Sequence, residues 1–220
     1  MPLAPARIIG LALVSAIGVL ATAGVTTSTA EAAPRATKCY PRKATTMQAS
    51  AEVRVYKRRG KVVACSLSTG KKVTLGPTTG PSGVLGVALG GKYAAIVRGS
   101  SPEGAGGPFS SQSLSLLNVT TRRPVSFGQV GCSGIDSATV TIQSLAVTTA
   151  GQLAWICAAT SPTASRAEVH KFDRSGASLL DSSDSISSPD SIALESVAIG
   201  RSESAVYWSR GDTARVAPLR

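Results

Sequence analysis

"CSLSTGKKVTLG" (65–76) aligns without gaps on "LNVTTRRPVSFG" (117–128), and this match decides the fold class. At an offset of 52 residues, Thr69 corresponds to Thr121, Val73 to Val125 and Gly76 to Gly128. A looser copy, "KFDRSGASLLDS" (171–182), places Gly176 at the position of Gly70. Each copy predicts a strand, a tight polar turn and a second short strand.

A second recurring unit lies between these copies. It reads "GVALGGKYAAIVRG" (86–99), "LAVTTAGQLAWICAA" (145–159) and "SVAIGRSESAVYWSRG" (196–211). Each predicts a short apolar strand, a Gly-containing turn and a stronger apolar strand. About four strands per 50 residues is typical of propeller blades. We therefore predict an all-β, antiparallel, propeller-like stack of three to four four-stranded blades, with a β-sandwich as the alternative.

The number of repeats leaves the closure of this stack undecided, because propellers usually have four to eight blades. Two complete units are flanked by partial ones at each end of the domain. Closure as a ring requires residues 53–75 to join residues 193–219 in one composite blade. The alternatives are an open, crescent-like stack and closure by dimerisation.

The amino terminus has the pattern of a secretory signal. Arg7 precedes an uncharged run from 8 to 25, and Ala30-Glu31-Ala32 provides a small-x-small cleavage site. We expect a signal peptide at 1–32, with cleavage after Ala32, or after Ala30 as second choice. The alternative is an uncleaved anchor, because the run approaches the ~20 residues of a membrane span. No later segment has that character, so the mature chain is expected to be secreted, with a basic segment at 33–50 and the β-domain at 51–220.

The positive charge is concentrated near the mature amino terminus. The whole chain has a net charge of +11, and residues 34–75 contain eleven basic residues against one acid, a net +10. The stretch 53–73 is expected to form hairpins with tips at 57–61 and 69–72. Val53, Val55, Val63 and Leu67 are expected to face inward. The predicted binding residues are Arg54, Lys57, Arg58, Arg59, Lys61, Lys71 and Lys72.

Such a charge favours anionic partners outside the cell: phosphate-rich wall polymers, anionic lipid or extracellular nucleic acid. Only Tyr40 and Tyr56 lie among the charges as aromatic rings, so sequence-specific nucleic-acid recognition is not expected. Another protein is the alternative partner. The alternative interpretation of the charge itself is that it merely keeps edge strands soluble and unpaired.

The four cysteines all follow the signal, and an even number in an exported chain predicts two disulfides. Three pairings are possible on paper. We expect the local pairs, Cys39 with Cys65 and Cys132 with Cys157, because about 25 residues separate the members of each. The spacing contains no CxxC motif, so no metal site built from thiols is expected.

Catalysis has weak support in the sequence. Glu195 could lie on an innermost strand, with Asp136 at a neighbouring blade entrance, as the two carboxylates of a carbohydrate-active propeller enzyme. Nothing in their spacing brings the two together. His170 is the only histidine and is expected to face solvent from a strand. We therefore expect a non-catalytic binding or scaffold module without a cofactor, with the enzyme as the alternative.

Three stretches carry a resemblance to a known group. They are "VYKRRGKVVACSLSTGKKVTLG" (55–76), "LAW" (153–155) and "YWSRGDTARVAPL" (207–219). In these, the chain resembles uncharacterised small secreted proteins of high-GC Gram-positive bacteria, and the resemblance spans most of the mature chain. It implies a β-propeller-like fold and brings no activity with it.

Overall fold

The computed structural model describes residues 36–80, 82–100, 111–125, 132, 135 and 139–220. A short 3-10 helix, Ala36–Cys39, precedes the strands. The first sheet consists of β1 (Thr45–Ala49), β2 (Val53–Arg58), β3 (Lys61–Ser66) and β4 (Lys72–Pro77). The second sheet consists of β5 (Val84–Gly90), β6 (Tyr93–Ser100), β7 (Ser111–Asn118) and β8 (Arg123–Val125).

The third sheet consists of β9 (Thr139–Val147), β10 (Leu153–Thr160), β11 (Ser165–Asp173) and β12 (Gly176–Ser183). The fourth sheet has three strands, β13 (Ala198–Ile199), β14 (Ala205–Arg210) and β15 (Thr213–Pro218). Within each sheet, sequential strands pair antiparallel. One parallel pair, Ser111 with Val140, joins the second and third sheets at one point, so β5 to β12 form a single hydrogen-bonded set of eight strands. The predicted all-β, propeller-like stack is confirmed.

Neighbouring sheets pack face to face like successive blades. The first strands follow one another in space, since β1 contacts β5, β5 contacts β9 and β9 contacts β13. An apolar cluster fills each gap: Val55 and Ile96 between the first and second sheets, Trp155 between the second and third, and Val206 and Trp208 between the third and fourth. Burial of apolar side chains on both faces of the middle sheets explains why their sequences are richest in Ala, Val, Leu and Ile.

The composite blade that closure as a ring would require is not formed. Residues 53–75 pair with β1 and β4 to make their own four-stranded sheet, and residues 198–218 make a separate three-stranded one. In the described part of the chain, no strand of the first sheet pairs with a strand of the fourth. The stack is therefore open, with the first sheet at one end and the fourth at the other.

The boundary expected at residue 50 needs correction, because β1 lies within 33–50 and pairs with β2. Residues 45–49 therefore belong to the first blade. The sequence "TTMQA" is polar and mostly exposed, so it has no apolar alternation to reveal a strand. The predicted signal peptide at 1–32 lies outside the described residues. None of the helices in the described residues has the length and apolar character needed to cross a membrane.

Both predicted disulfides are present. Cys39 is joined to Cys65 and Cys132 to Cys157, with Cα atoms 5.5 and 5.8 Å apart. The first connects the segment before β1 to β3, and the second connects β10 to the chain that precedes β9. Each therefore closes a loop within or beside a single blade, as the spacing predicted.

Candidate anion-binding pocket

A surface pocket of about 300 Å³ lies on the first sheet. Its walls come from three adjacent strands and one turn, and it is lined by Tyr56, Arg58, Arg59, Lys61, Val63, Lys72 and Thr74. Four of these seven residues are cations, and all four are among the residues that the charge pattern predicted to bind anions. The structure therefore collects side chains from positions 58 to 72 around one concavity.

Strand register explains why these side chains share one face. Tyr56 lies opposite Val63 across β2 and β3, and Val63 lies opposite Thr74 across β3 and β4. Side chains on a strand alternate between faces, so Arg58 joins Tyr56, and Lys61 joins Val63. We call this side of the first sheet its outer face. The inner face carries Val53, Val55, Val62 and Ala64, which are fully buried against the second sheet.

Two expectations about this stretch were wrong. Val63 and Leu67 do not join the inner core; both pack on the outer face beside the Cys39–Cys65 disulfide. The reason is the two-residue period, since Val62 and Ala64 already occupy the inner positions of β3. The hairpin tip is also shorter than expected. Only Arg59 and Gly60 form the turn, so Lys57, Arg58 and Lys61 are strand residues.

The Arg59-Gly60 turn brings two cations together. Arg59 and Gly60 have φ angles of 50° and 70°, which is the pattern of the two-residue hairpin turns that match strand twist. The register then places Arg58 directly opposite Lys61. Like charges directly opposite one another in a sheet are destabilising. A bound anion would remove this repulsion, so the arrangement favours anion binding at this end of the pocket.

Tyr56 forms the buried side of the pocket and is only 2 % exposed. Its ring packs with the Cys39–Cys65 disulfide. Burial raises the pKa of Tyr56 above its ordinary value, and the nearby Arg58 and Arg54 guanidinium groups offset part of the increase. The phenol therefore stays protonated at neutral pH and can donate a hydrogen bond. In the described structure its hydroxyl has no hydrogen-bond partner.

Arg54 lies beside the pocket, on the same face of β2 as Tyr56 and Arg58. It is 7 % exposed, and its guanidinium lies 4.1 Å from the ring centre of Tyr40 and 5.5 Å from that of Tyr56. Nη1 donates to the carbonyl oxygen of Cys39 at 2.6 Å, and Nε donates to Thr46 Oγ1 at 2.9 Å. With its donors engaged by the protein, Arg54 positions Tyr56 and the segment around Cys39, and it does not line the pocket.

The other two predicted binding residues lie away from the pocket. Lys57 alternates with Arg58 and so belongs to the opposite side of β2, where it is exposed beyond Val55. Lys71 is exposed in the β3–β4 turn, at the far end of β3 from Lys61. Tyr56 and Thr74 line the pocket but were not proposed as binding residues. The alternation of Arg54, Tyr56 and Arg58 along β2 was the signal that could have identified Tyr56.

Among the described residues, none of the four pocket cations forms an ion pair with a carboxylate. In the described ranges, the ion pairs join Arg166, His170, Lys171 and Arg210 to carboxylates of the third sheet and the residue after it, and none involves a residue of the first sheet. Partly exposed cations without carboxylate partners keep their full positive potential. The pocket can therefore attract an anion by its field and hold it by direct donation from guanidinium and ammonium groups.

Of the two carboxylates considered for catalysis, only Glu195 lies in the described part of the chain. Glu195 is exposed in the loop before β13 instead of lying on a strand, and Asp136 lies outside the described residues. His170 does not face solvent as expected: its side chain is 14 % exposed, stacks on Trp155 at 5.1 Å and lies 2.9 Å from Glu168 Oε2. Register causes this, since His170 pairs with Trp155 across β10 and β11.

One group in the described residues has the spacing of metal ligands. Atoms of Cys132, Cys157 and Glu168 lie within 4.8 Å of one another. The two sulfur atoms are joined in a disulfide, so they supply no thiolate to a metal. The buried Glu168 carboxylate instead interacts with His170 and, at 3.7 Å, with Arg166. The group is therefore a disulfide beside a buried carboxylate.

Comparison with known proteins supports the fold and no activity. The chain is similar to Porphyromonas gingivalis dipeptidyl peptidase 4, with a TM-score of 0.51 at 13 % identity over 75 % of this chain and 29 % of that chain. The complex of KlAtg21 with the coiled-coil of AgAtg16 also matches, with a TM-score of 0.47 at 13 % identity over 81 % and 53 %. This chain thus spans about half or less of those proteins. No family model and no curated protein matches it.

Proposed function

We propose that the protein is a secreted, non-catalytic binding module that captures anionic polymers of the cell envelope on the outer face of its first sheet. The observation that carries the proposal is the pocket lined by Arg58, Arg59, Lys61 and Lys72, which form no ion pair with a carboxylate in the described part of the chain. Residues 76–220 are nearly balanced, with eleven basic and ten acidic residues. A merely solubilising charge would not need to converge on one concavity.

The position of the pocket supports a role in binding long polymers. The first sheet is the end of the open stack, and the described apolar cluster on its outer face consists of residues of that sheet, its β3–β4 turn and the segment before β1. A long chain of phosphates can therefore lie across this face, because the site is open to solvent on the end of the stack. Two disulfides favour an oxidising compartment, in agreement with the predicted signal at 1–32.

The proposal is tested with fluorescently labelled poly(glycerol phosphate) and the mature protein. Arg58→Glu/Lys61→Glu should abolish binding at 50 mM salt, because it reverses two charges in the pocket. Lys57→Glu/Lys71→Glu is the matched control, since it changes the net charge equally on residues outside the pocket. Retained binding in the control, with similar thermal midpoints for both variants, is the expected result. Equal loss in both variants would mean that only overall charge matters.

Salt dependence provides a second measurement on the wild type. Each neutralised phosphate of a flexible chain contributes about 0.7 to the slope of log affinity against log salt. If the first sheet neutralises four phosphates of the bound chain, affinity should fall roughly fiftyfold between 50 and 200 mM salt. No detectable binding to poly(glycerol phosphate), anionic vesicles or DNA at 50 mM salt would overturn the proposed function.

A further inference from the structure

The pocket is a concavity of defined volume, which binding by charge alone does not require. Its volume of about 300 Å³ is at the lower limit of small-molecule sites, which run from about 300 to 1,000 Å³. A stripe of lysines along an exposed edge would suffice to hold a polyanion. Here β2, the turn, β3 and β4 each contribute one cation to the same space. The space is large enough for one phosphorylated sugar or polyol unit.

The donors around this space match a phosphate with several free oxygen atoms. Guanidinium groups bind phosphate oxygens in pairs, and ammonium groups add compact positive charge. Arg58 and Arg59 provide the first kind of donor, and Lys61 and Lys72 the second. The Tyr56 hydroxyl adds a neutral donor on the buried side. A phosphate monoester has three free oxygen atoms and nearly two negative charges at neutral pH, whereas a diester has only one charge.

We propose that this pocket recognises a phosphate monoester, one terminal phosphate of a compact polyol or sugar per protein molecule. The inference rests on the proposed function, in which the same pocket is the anion site. In this role the first sheet binds the phosphorylated ends of polymer chains. The rest of the polymer adds to the affinity by general charge attraction. Tyr56 is uncharged, so a contribution of its hydroxyl to binding distinguishes this role from simple charge attraction.

Competition against labelled poly(glycerol phosphate) tests the ligand class. Glycerol 3-phosphate should displace the polymer at a concentration at least tenfold lower than dimethyl phosphate, a diester, at equal ionic strength. Inorganic phosphate distinguishes recognition of the free ion from that of the ester. Vesicles with phosphatidic acid, compared with phosphatidylglycerol vesicles, test the lipid source of the same group. Equal competition by the monoester and the diester would overturn the inference.

Tyr56→Phe tests the pocket itself, because it keeps the ring against the disulfide and removes only the hydroxyl. Loss of one hydrogen bond to a charged group should weaken glycerol 3-phosphate binding about tenfold. The thermal midpoint and the salt dependence of polymer binding should remain near those of the wild type. Lys57→Ala is the control and should leave monoester binding unchanged. Unaltered monoester binding in Tyr56→Phe would contradict the inference.

The pH profile provides an independent readout. The second pKa of a phosphate monoester is about 6, so its binding should strengthen as pH rises from 5 to 7.5. The charged and titratable groups that face the pocket are Arg58, Arg59, Lys61, Lys72 and the Tyr56 phenol. Diester binding should stay flat. If the polymer binds but glycerol 3-phosphate does not, this inference fails and the proposed function stands; if neither binds, both fail.

Discussion

The two end sheets of the open stack have similar inner faces and very different outer faces. Val53 and Val55 bury the inner side of the first sheet, as Val206 and Trp208 do in the fourth. On the outer side, the first sheet carries four cations around a pocket. The corresponding side of the fourth sheet carries the facing pair Tyr207 and Val216, which are 45 % and 60 % exposed.

This difference separates what the fold requires from what it leaves open. An inner face must be apolar because it packs against the next sheet. An end face has no such neighbour, so its composition is not determined by the core. The outer face of the first sheet carries Arg58, Arg59, Lys61 and Lys72 around its pocket, a concentration of charge that packing of the core does not require. The fourth sheet carries no comparable charge on its outer side.

The end sheets also differ in the interactions that attach them to the neighbouring chain. The first sheet is secured covalently by the Cys39–Cys65 disulfide. The fourth sheet is held to the third by carboxylates: Asp181 accepts hydrogen bonds from Trp208 Nε1 at 2.9 Å and Arg210 Nη1 at 2.7 Å. The first attachment is a covalent bond that reduction breaks, and the second is a pair of hydrogen bonds to a carboxylate. The following predictions use this difference in order of decreasing effect.

The largest effect is expected from Cys39→Ser/Cys65→Ser. In the chain-entropy model, closing a loop of this length stabilises the protein by about 3 kcal/mol. We expect the free energy of unfolding to fall by about that amount, measured by urea denaturation. Poly(glycerol phosphate) binding should weaken as well, because the Cys39 carbonyl no longer positions Arg54. Unchanged binding in the folded variant would show that the pocket does not depend on this bond.

A smaller loss is expected from Asp181→Ala, which leaves Trp208 and Arg210 without their acceptor. Removing hydrogen bonds of this charged kind should cost about 2 kcal/mol, with anion binding unaffected. Asp184→Ala is the control, because its side chain is 83 % exposed and its pair with Arg166 contributes little. Thermal denaturation of both variants makes the comparison. Equal loss of thermal stability in the two variants would refute the assignment of Asp181 as an attachment between the third and fourth sheets.

Acid should weaken the contact between Asp173 of the third sheet and Arg220, which follows β15. Burial tends to raise the pKa of Asp173, but hydrogen bonds from Lys171, the Arg220 N–H and the Ser175 N–H outweigh it and hold the pKa below its usual range. A depressed pKa contributes stability above the unfolded value near 4, and this is lost as pH falls through the folded value. The stability difference between wild type and Asp173→Asn should therefore be about 1 kcal/mol at pH 6 and should diminish below pH 4. A pH-independent difference would contradict this.

The smallest effect is expected on the uncharged outer face of the fourth sheet. Val216→Thr keeps a β-branched side chain at an exposed strand position, so stability should change by less than about 0.5 kcal/mol. Binding of poly(glycerol phosphate) should be unchanged, because the site lies at the other end of the stack. Loss of binding in this variant would show that the fourth sheet also takes part.

Local residue chemistry made the hairpins and disulfides predictable. Turns such as Gly211 in the β14–β15 hairpin, with φ of 53°, depend on a few consecutive residues. The strand β1 was missed because its polar sequence lacks alternation. The open stack could not be inferred from the repeats, since closure depends on whether distant ends pair, which a local pattern does not encode.

By itself, the sequence determined the all-β class, the positions of most hairpins, the local cysteine pairs and the concentration of positive charge in residues 34–75. Only the tertiary structure decided which of those charges converge. Arg58 and Lys57 are adjacent in the chain, yet strand alternation sends one into the pocket and the other to the opposite side. Lys72 joins Arg58 because the register of three strands brings them to one face, and register is set by the burial of the opposite face.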